Sequence, residues 1–373
     1  MLSPHQQAFE LIDKSNNTLI VLPDILNGDA LGAGLALSMA FEKLDKNSEI
    51  ISEQKIPEKF SFLPNSNIIK NQLSGIRDFI ISIDTNKNKI SQLRYEKEEN
   101  VLNIILTTLD KIEEKNIKLA PGPFKYDLIV TIDCPDLENL GRLYDQNTDL
   151  FFERPILNID HKSSNEFFGE VNLVEPTASS SCEIMTNLIQ SLGIHSVDQN
   201  IATCLLCGIV AKTRSFQLAS TTPQALNLAS YLITQGAEQE KIIRFLYKNK
   251  PLNCLKLWGR LINKMDYDED QKILFLSIEN KDFKETNTSP KEISFILDEI
   301  NENFYNLKAL SIIWQNEDFS LNGLIQTNAI KILNLASNEY PGTIKNDRFI
   351  FKIIDQDILN SKTKIQTLIK SSF

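Results

Sequence analysis

Three aspartates stand at or just past the ends of short β-rich runs, and their placement is the first sign of chemistry in this chain. Asp29 lies beyond TLIVL (18–22), Asp133 closes DLIVTID (127–133), and Asp160 closes RPILNID (154–160). Helical patterns separate these runs, as in GAGLALSMAFEKL before SEIISE. That alternation predicts an α/β fold with a parallel sheet flanked by helices. Such sheets collect polar loop residues at the carboxyl ends of their strands, where ligands bind, so the three carboxylates are candidates for one site.

The elements around these strands set the expected organisation. Residues 79–108, FIISIDTNKNKISQLRYEKEENVLNIILTT, read as three alternating segments separated by NKNK and EKEEN turns. They predict an inserted antiparallel hairpin or small meander with Asp84 in solvent. From 178 to 265 the apolar period becomes 3.6 residues, which predicts helices. Beyond about 268, strand-like KILFLSIEN, ALSIIWQN, SLNGLIQTN and RFIFKII surround helical patterns and predict a second, smaller α/β domain. The expected division is an α/β domain over 1–190 carrying the insertion, a helical part and connector over 191–265, and a second domain over 268–373. Two domains suit a chain of 373 residues with 42% apolar content.

Composition excludes some classes of function. No stretch approaches the roughly 20 apolar residues that span a bilayer, and MLSPHQQAFELIDKS lacks a basic segment followed by an apolar one, so a cytoplasmic protein without a membrane partner is expected. The five cysteines are scattered and odd in number, which suits a reducing compartment. Cys204 and Cys207 form a CxxC inside the apolar run IATCLLCGIV with no second pair nearby, a pattern of core packing. A net charge of -10 repels polyanions on average and argues against duplex DNA as a partner, while leaving room for a local basic pocket.

Several segments in order resemble the DHH phosphoesterases, in particular their branch of short-RNA nucleases and adenosine 3',5'-bisphosphate phosphatases. NIDHKSSNEFFGEVNLVEPTASSSCEIMTNLI (158–189) is similar to the family signature, with its following asparagine and serine-rich helix start. DLIVTIDCPDLENLGRLY (127–144) is similar to the central aspartate strand, and GIVAKTRSFQLASTTPQALNLASYLITQGA (208–237) continues the match. The resemblance implies two Mn²⁺ or Mg²⁺ ions held by aspartates and histidines, which polarise a phosphate and lower the pKa of an attacking water. Of the metal ligands it implies, Asp29, Asp133 and His161 persist, and Asp160 is kept in the signature. The first-motif histidine and aspartate are absent from Pro23–Ala33, the second signature histidine is Lys162, and the fourth-motif aspartate is Lys212, followed by Thr213 and Arg214. Three ligands hold one ion at most, and His5 and His195 offer no evident replacement. The second domain resembles the DHH-associated substrate-binding domain. Its glycine-rich signature aligns with Tyr340–Phe349 and retains Gly342, beside Thr343, and Phe349; an arginine of the preceding strand is replaced by Gln326, which removes a bidentate phosphate donor.

These departures imply two readings. In one, the fold is kept and two-metal hydrolysis is lost. No cofactor is then expected, Asp29, Asp133, Asp160 and His161 are vestigial, and a nucleotide, a short single-stranded oligonucleotide or a partner protein binds between the domains through Lys162, Lys212, Arg214, Gly342 and Thr343. A second copy of the chain, giving a homodimer, is among the admissible partners. In the other, the chain is an active phosphoesterase toward short oligonucleotides or adenosine bisphosphate, with Mn²⁺ or Mg²⁺ in an altered site. The new cations also read two ways, as drifted residues in solvent or as replacements for the metals that neutralise carboxylates which would otherwise repel. The replacement reading places the Lys162 or Lys212 ammonium within salt-bridge reach of Asp29 or Asp133.

Overall fold

The computed structural model describes residues 2–372 apart from 87–88, 109–111, 194–196, 249, 305, 346 and 355–356, so His195 lies outside the described residues. The chain divides into two compact units, 1–248 and 249–373.

In the first unit α1 (Pro4–Lys14), β1 (Asn17–Val21), α2 (Gly28–Lys43) and β2 (Asn47–Ile51) open the chain. An insertion follows, with β3 (Arg77–Ile83), β4 (Ile90–Lys97), β5 (Leu102–Thr108) and β6 (Ile117–Phe124). Then come β7 (Leu128–Ile132), the short helices α3 (Arg142–Asp145) and α4 (Thr148–Glu153), β8 (Ile156–Asp160) and β9 (Val171–Val174). The unit ends with α5 (Ser181–Ser191), α6 (Gln199–Lys212), α7 (Pro223–Thr234) and α8 (Gln239–Ile243). Its main sheet has the order β2-β1-β7-β8-β9, parallel throughout. The runs LIV and LIVTI are apolar without alternation because both faces are covered. Ile20, Val130 and Leu157 join the core formed with α2, α5 and α6, while Leu19, Ile129 and Ile156 join the one formed with Leu143 and Leu150. α2 is buried over most of its length and rests closely on α6; a Cβ on Gly32 would run into the Cys204 carbonyl oxygen. Cys204 and Cys207 are buried and free in this core.

Two differences from the sequence pattern have physical reasons. The insertion is longer than 79–108: β3 pairs with β6, outside the β4–β5 hairpin. β6 reads IKLAPGPF, whose two prolines and glycine hide a strand at an edge where they are tolerated. Asp84 is exposed, as its turn sequence suggested. The helical run of 178–265 is also shared between the two units rather than forming a separate connector, since α6 is central to the first core and the division falls at 248. Apolar periodicity marks which face of a helix is buried and carries no information about which core receives it.

The second unit comprises α9 (Leu252–Ile262), β10 (Asp266–Asp268), β11 (Ile273–Ile278), α10 (Asn280–Thr286), α11 (Ile293–Asn303), β12 (Ala309–Gln315), β13 (Leu321–Thr327), α12 (Ile330–Glu339), β14 (Gly342–Lys345), β15 (Arg348–Ile353) and α13 (Ile358–Lys370). Its sheet has the order β10-β11-β12-β13-β15-β14, with only β11 and β12 parallel. Leu276 and Ile312 belong to one core with α9 and α11, and Phe275 and Ile313 to another with α12 and α13.

Candidate functional site

Strand order determines where chemistry collects. β1 leads outward to β2 at one edge and β7 leads to β8 on the other side, so the sheet reverses between β1 and β7. Ligands of such sheets bind past the carboxyl ends of the strands at that reversal. Asp29 follows β1 and Asp133 follows β7.

Each carboxylate is held differently. Asn27 caps α2, accepting from the Asp29 and Ala30 amides through its side-chain oxygen at 2.9 and 3.0 Å. The Asp29 carboxylate is then aimed at the start of α5, where it accepts from the Ser181 and Cys182 amides at 2.7 and 2.8 Å. Asp133 adopts a left-handed backbone with φ 56°, a conformation aspartate tolerates better than most residues. Its Oδ2 accepts from the Asn27 side chain at 2.6 Å. Asp160 is buried and faces its own loop: Oδ1 accepts from the His161 and Lys162 amides, and Oδ2 from the Asn165 side chain. It shapes the turn that carries His161 and Lys162 and is not among the grouped ligand atoms.

His161 and both lysines converge on Asp133. His161 Nε2 lies 3.6 Å from Asp133 Oδ1 and 3.7 Å from Asp29 Oδ2. Lys162 Nζ lies 3.1 Å from Asp133 Oδ1 and donates to the Asp133 carbonyl at 2.5 Å. Lys212 Nζ, from the last turn of α6, lies 3.9 Å from the same Oδ1. Despite these charges, Asp133 Oδ1 and His161 Nε2 are buried without a hydrogen-bond partner.

Electrostatics separate the two aspartates. Burial pushes the Asp29 carboxyl above the ordinary range and the Asp133 charge adds to that, against Lys212, His161 and the Cys182 amide. Burial works against the Asp133 charge as well, but Lys212, Lys162, the Asn27 hydrogen bond and His161 together hold that carboxyl below the usual range. Lys212 acts the more strongly by charge and Lys162 by closer contact. Burial disfavours the Lys162 ammonium, yet Asp133 and Asp160 keep its pKa raised.

One oxygen or nitrogen from each of Asp29, Asp133 and His161 lies within 4.8 Å of the others. Two donors on one small divalent ion stand about 3 Å apart when each bond is about 2.1 Å, so this trio fits one ion with modest contraction. The other cations that converge on Asp133 are ammonium ions, which have no lone pair to give, and Asn27 turns its amide donor to Oδ2.

Other sequence candidates fall elsewhere. Arg214 is exposed and begins three consecutive left-handed residues, Arg214, Ser215 and Phe216, with φ of 48, 56 and 66°. Gly342 and Thr343 lie exposed in the edge strand β14, opposite Phe351 and Ile350, and belong to the second unit. Gln326 donates to Asp347 at 2.8 Å. Sequence reasoning gave no role to Asn27, and noted Asn165 only as the asparagine that follows the signature. Asn27 carried a signal, since asparagine directly before Gly-Asp and an apolar helix is a start signature.

A model of the DHH family N-terminal domain matches residues 18–209. The bifunctional oligoribonuclease and PAP phosphatase NrnA of Thermus thermophilus is 30% identical over 112 residues, 30% of this chain and 34% of that protein. An uncharacterized protein of Mycoplasma pneumoniae is 29% identical over 129 residues, 35% of this chain and 38% of its own. A probable NrnA of Streptococcus mutans is 25% identical over 192 residues, 52% of this chain and 57% of its own. The matches thus span from about a third to somewhat over half of these relatives. The crystal structure of an exopolyphosphatase-related protein from Bacteroides fragilis shares the fold, with a TM-score of 0.71 at 16% identity over 98% of this chain and 96% of that one. With the family model matching half of the sequence and the parallel sheet carrying Asp29, Asp133 and the Asp160–His161 pair in the order the motifs require, the chain belongs to the DHH family.

Proposed function

We propose that this protein is a non-hydrolysing member of its family, in which two lysines do the charge compensation of a metal pair and the site binds a nucleotide or short single-stranded oligonucleotide without turning it over. The observation that carries this reading is the convergence of Lys162 and Lys212 on Asp133, at 3.1 and 3.9 Å. An ammonium can neutralise a carboxylate and attract a phosphate. It cannot supply the activated water that two-metal hydrolysis requires. The relatives named for oligoribonuclease and PAP phosphatase activity point to the ligand class. A nucleotide that binds only the folded chain raises its melting temperature by mass action.

The test is a calorimetric Mn²⁺ titration of chelator-treated protein, beside incubation of short RNA and adenosine 3',5'-bisphosphate with Mn²⁺ and protein. Binding no tighter than millimolar, intact substrates over hours and a nucleotide-induced thermal shift are expected. Two Mn²⁺ ions at micromolar affinity, or turnover lost on Asp133→Asn, would overturn the reading.

The unpartnered Asp133 Oδ1 and His161 Nε2 favour a second reading. Asp29, Asp133 and His161 would hold one Mn²⁺ or Mg²⁺, whose contribution is to polarise a phosphate oxygen. Asn27 and the α5 amides then orient the two carboxylates, and Lys162 and Lys212 meet the phosphate charge. One equivalent of Mn²⁺ at micromolar affinity, abolished by His161→Ala, selects it.

A further inference from the structure

A buried amide joins the two strand-end turns that carry the site without being one of its converging groups. Asn165 lies in the loop after His161 and Lys162 and is buried. Its Nδ2 donates to the Cys134 carbonyl at 3.1 Å, in the turn of Asp133, and to Asp160 Oδ2 at 2.8 Å, in the turn of His161 and Lys162. Its Oδ1 accepts from the Phe167 amide at 2.9 Å and from Asn158 Nδ2 at 2.8 Å. A backbone amide only donates, so the Phe167 contact fixes which end of the side chain is oxygen. Both hydrogens and both lone pairs are thereby used. An aspartate or leucine of the same outline would lack the two donors.

Asn158 gives this side chain its footing. It is buried in the middle of β8, opposite Thr131 of β7 and Asn172 of β9, and bonds both, at 3.4 and 3.2 Å. Asn172 in turn holds Gly169, accepting from its amide at 3.0 Å and donating to its carbonyl at 2.7 Å. The loop that leaves β8 is thus fastened to the sheet at Asn165, beside the site, and again at Gly169, at its far end. Asp133 depends on the first of these. Its amide still bonds the Ile159 carbonyl of β8 at 2.9 Å, but its left-handed φ of 56° then turns the chain out of the ladder, and the next carbonyl, that of Cys134, is taken up by Asn165. The Glu166 amide, on the Pro135 carbonyl at 2.8 Å, lengthens the same seam. On the other side Asp160 has one oxygen on Asn165 and the other on the His161 and Lys162 amides, at 2.8 and 3.3 Å.

We infer that Asn165 is a positioning residue of this site, which sets the separation of Asp133 from His161 and Lys162 by bonding both turns at once. The inference needs neither a ligand nor turnover, so it stands or falls apart from the function proposed above. A double-mutant cycle on the full chain tests it, because a residue that only adds stability gives additive losses, whereas one that places a partner gives coupled ones. Lys162→Met is expected to lower the folding equilibrium constant about 10-fold in the native chain and less than about 3-fold in Asn165→Ala, where the ammonium has already lost its seat. In Asn172→Ala, which loosens the loop at Gly169, the full loss should remain. The ammonium resonance of Lys162 in nitrogen-15 spectra, assigned by its absence from Lys162→Met, should stand apart from those of exposed lysines in the native and Asn172→Ala chains and fall among them in Asn165→Ala. Should the alanine chain not fold, Asn165→Ser, which leaves a hydroxyl in place of the amide, carries the same two measurements. Equal losses with and without Asn165, or a Lys162 resonance that keeps its place in the absence of Asn165, overturn the inference. So does an Asn172→Ala chain that matches Asn165→Ala in both measurements.

Discussion

Two buried aspartates, one in each unit, are both answered by two cations, and the contrast between them shows what ion pairing alone does not reveal. Asp282, in the first turn of α10, accepts from Arg260 Nε at 2.5 Å, from Lys264 Nζ at 2.8 and 2.6 Å, and from the Glu279 amide at 2.9 Å. Both of its oxygens are used, and it ties α9 and the turn after it to α10. Asp133 has cations as near as 3.1 Å, but its Oδ1 receives no hydrogen bond, its backbone is left-handed, and the His161 nitrogen facing it is equally unpaired. Saturated polar groups brace a fold, whereas buried groups with spare capacity and unusual backbone gather at binding sites. Asp282 is a brace, and Asp133 keeps an unused acceptor.

The largest effect expected from this difference is on stability. Asp282→Ala leaves Arg260, Lys264 and the Glu279 amide without their shared acceptor. The two cations keep about a third of their side-chain exposure and rehydrate, which moderates the loss to about 2–3 kcal/mol. Chemical denaturation followed by hydrogen exchange in β11 and β12 measures it. A loss below about 0.5 kcal/mol would place Asp282 among ordinary surface positions.

Removal of a cation from the first site should cost less. Lys162→Met takes away the donor to the Asp133 carbonyl and the nearer counter-ion, while Lys212→Met takes away the farther one. With the two lysine side chains 33% and 30% exposed, about 1–2 kcal/mol is expected for the first and about 1 for the second. Denaturant midpoints of the two variants settle the order. Equal midpoints to the native protein would return both lysines to the status of drifted surface residues.

Binding offers a sharper contrast. Lys162→His with Lys212→Asp replaces both ammonium ions by lone-pair donors, so Mn²⁺ affinity should rise about 10-fold or more over the native chain. The matching change beside Asp282, Lys264→Asp, should create no Mn²⁺ site because Arg260 still donates to Oδ1 and the Glu279 amide to Oδ2. Calorimetry on both variants checks this pair.

Much of the site was legible because it hangs on strand ends. Unalternated apolar runs locate β1, β7 and β8, and the aspartates just past them follow. Lys162 and Lys212 could be placed near Asp133 once the motif order was recognised. The inward or outward direction of a side chain was not legible. Asp160 sits in the signature beside His161, yet it turns to the loop amides, because a carboxylate at the end of a strand caps the chain reversal more readily than it reaches a site. The role of Asn27 depends on contact with a residue 106 positions away, which local pattern does not encode. The insertion beyond 108 was missed for the opposite reason: β6 is a strand made by pairing with β3, against the preferences of its prolines.

The smallest effect expected is a difference in pH dependence, and its sign follows from the direction of each shift. Burial opposes the Asp282 charge, but Lys264, Arg260 and the Glu279 amide hold its carboxyl below the ordinary range. Its stabilisation is therefore present above the unfolded value of about 3.9 and is lost as pH falls through the lower folded value. Asp29 is shifted upward by burial and by Asp133. Its contribution runs the other way: favourable below about 3.9, and lost as pH rises through the higher folded value, so ionised Asp29 weighs against the first unit at neutral pH. Between pH 7 and 4, protection of the β1 and α2 amides should rise relative to those of β11, and below pH 4 the second unit should lose protection. Asp133→Asn sharpens the test. Asparagine tolerates the left-handed backbone, and loss of the neighbouring charge returns Asp29 toward its ordinary range, so the mild-acid gain should shrink while the β11 profile stays fixed. A mild-acid gain unchanged in this variant would mean that Asp133 does not set the Asp29 shift and that the two carboxylates do not share one site.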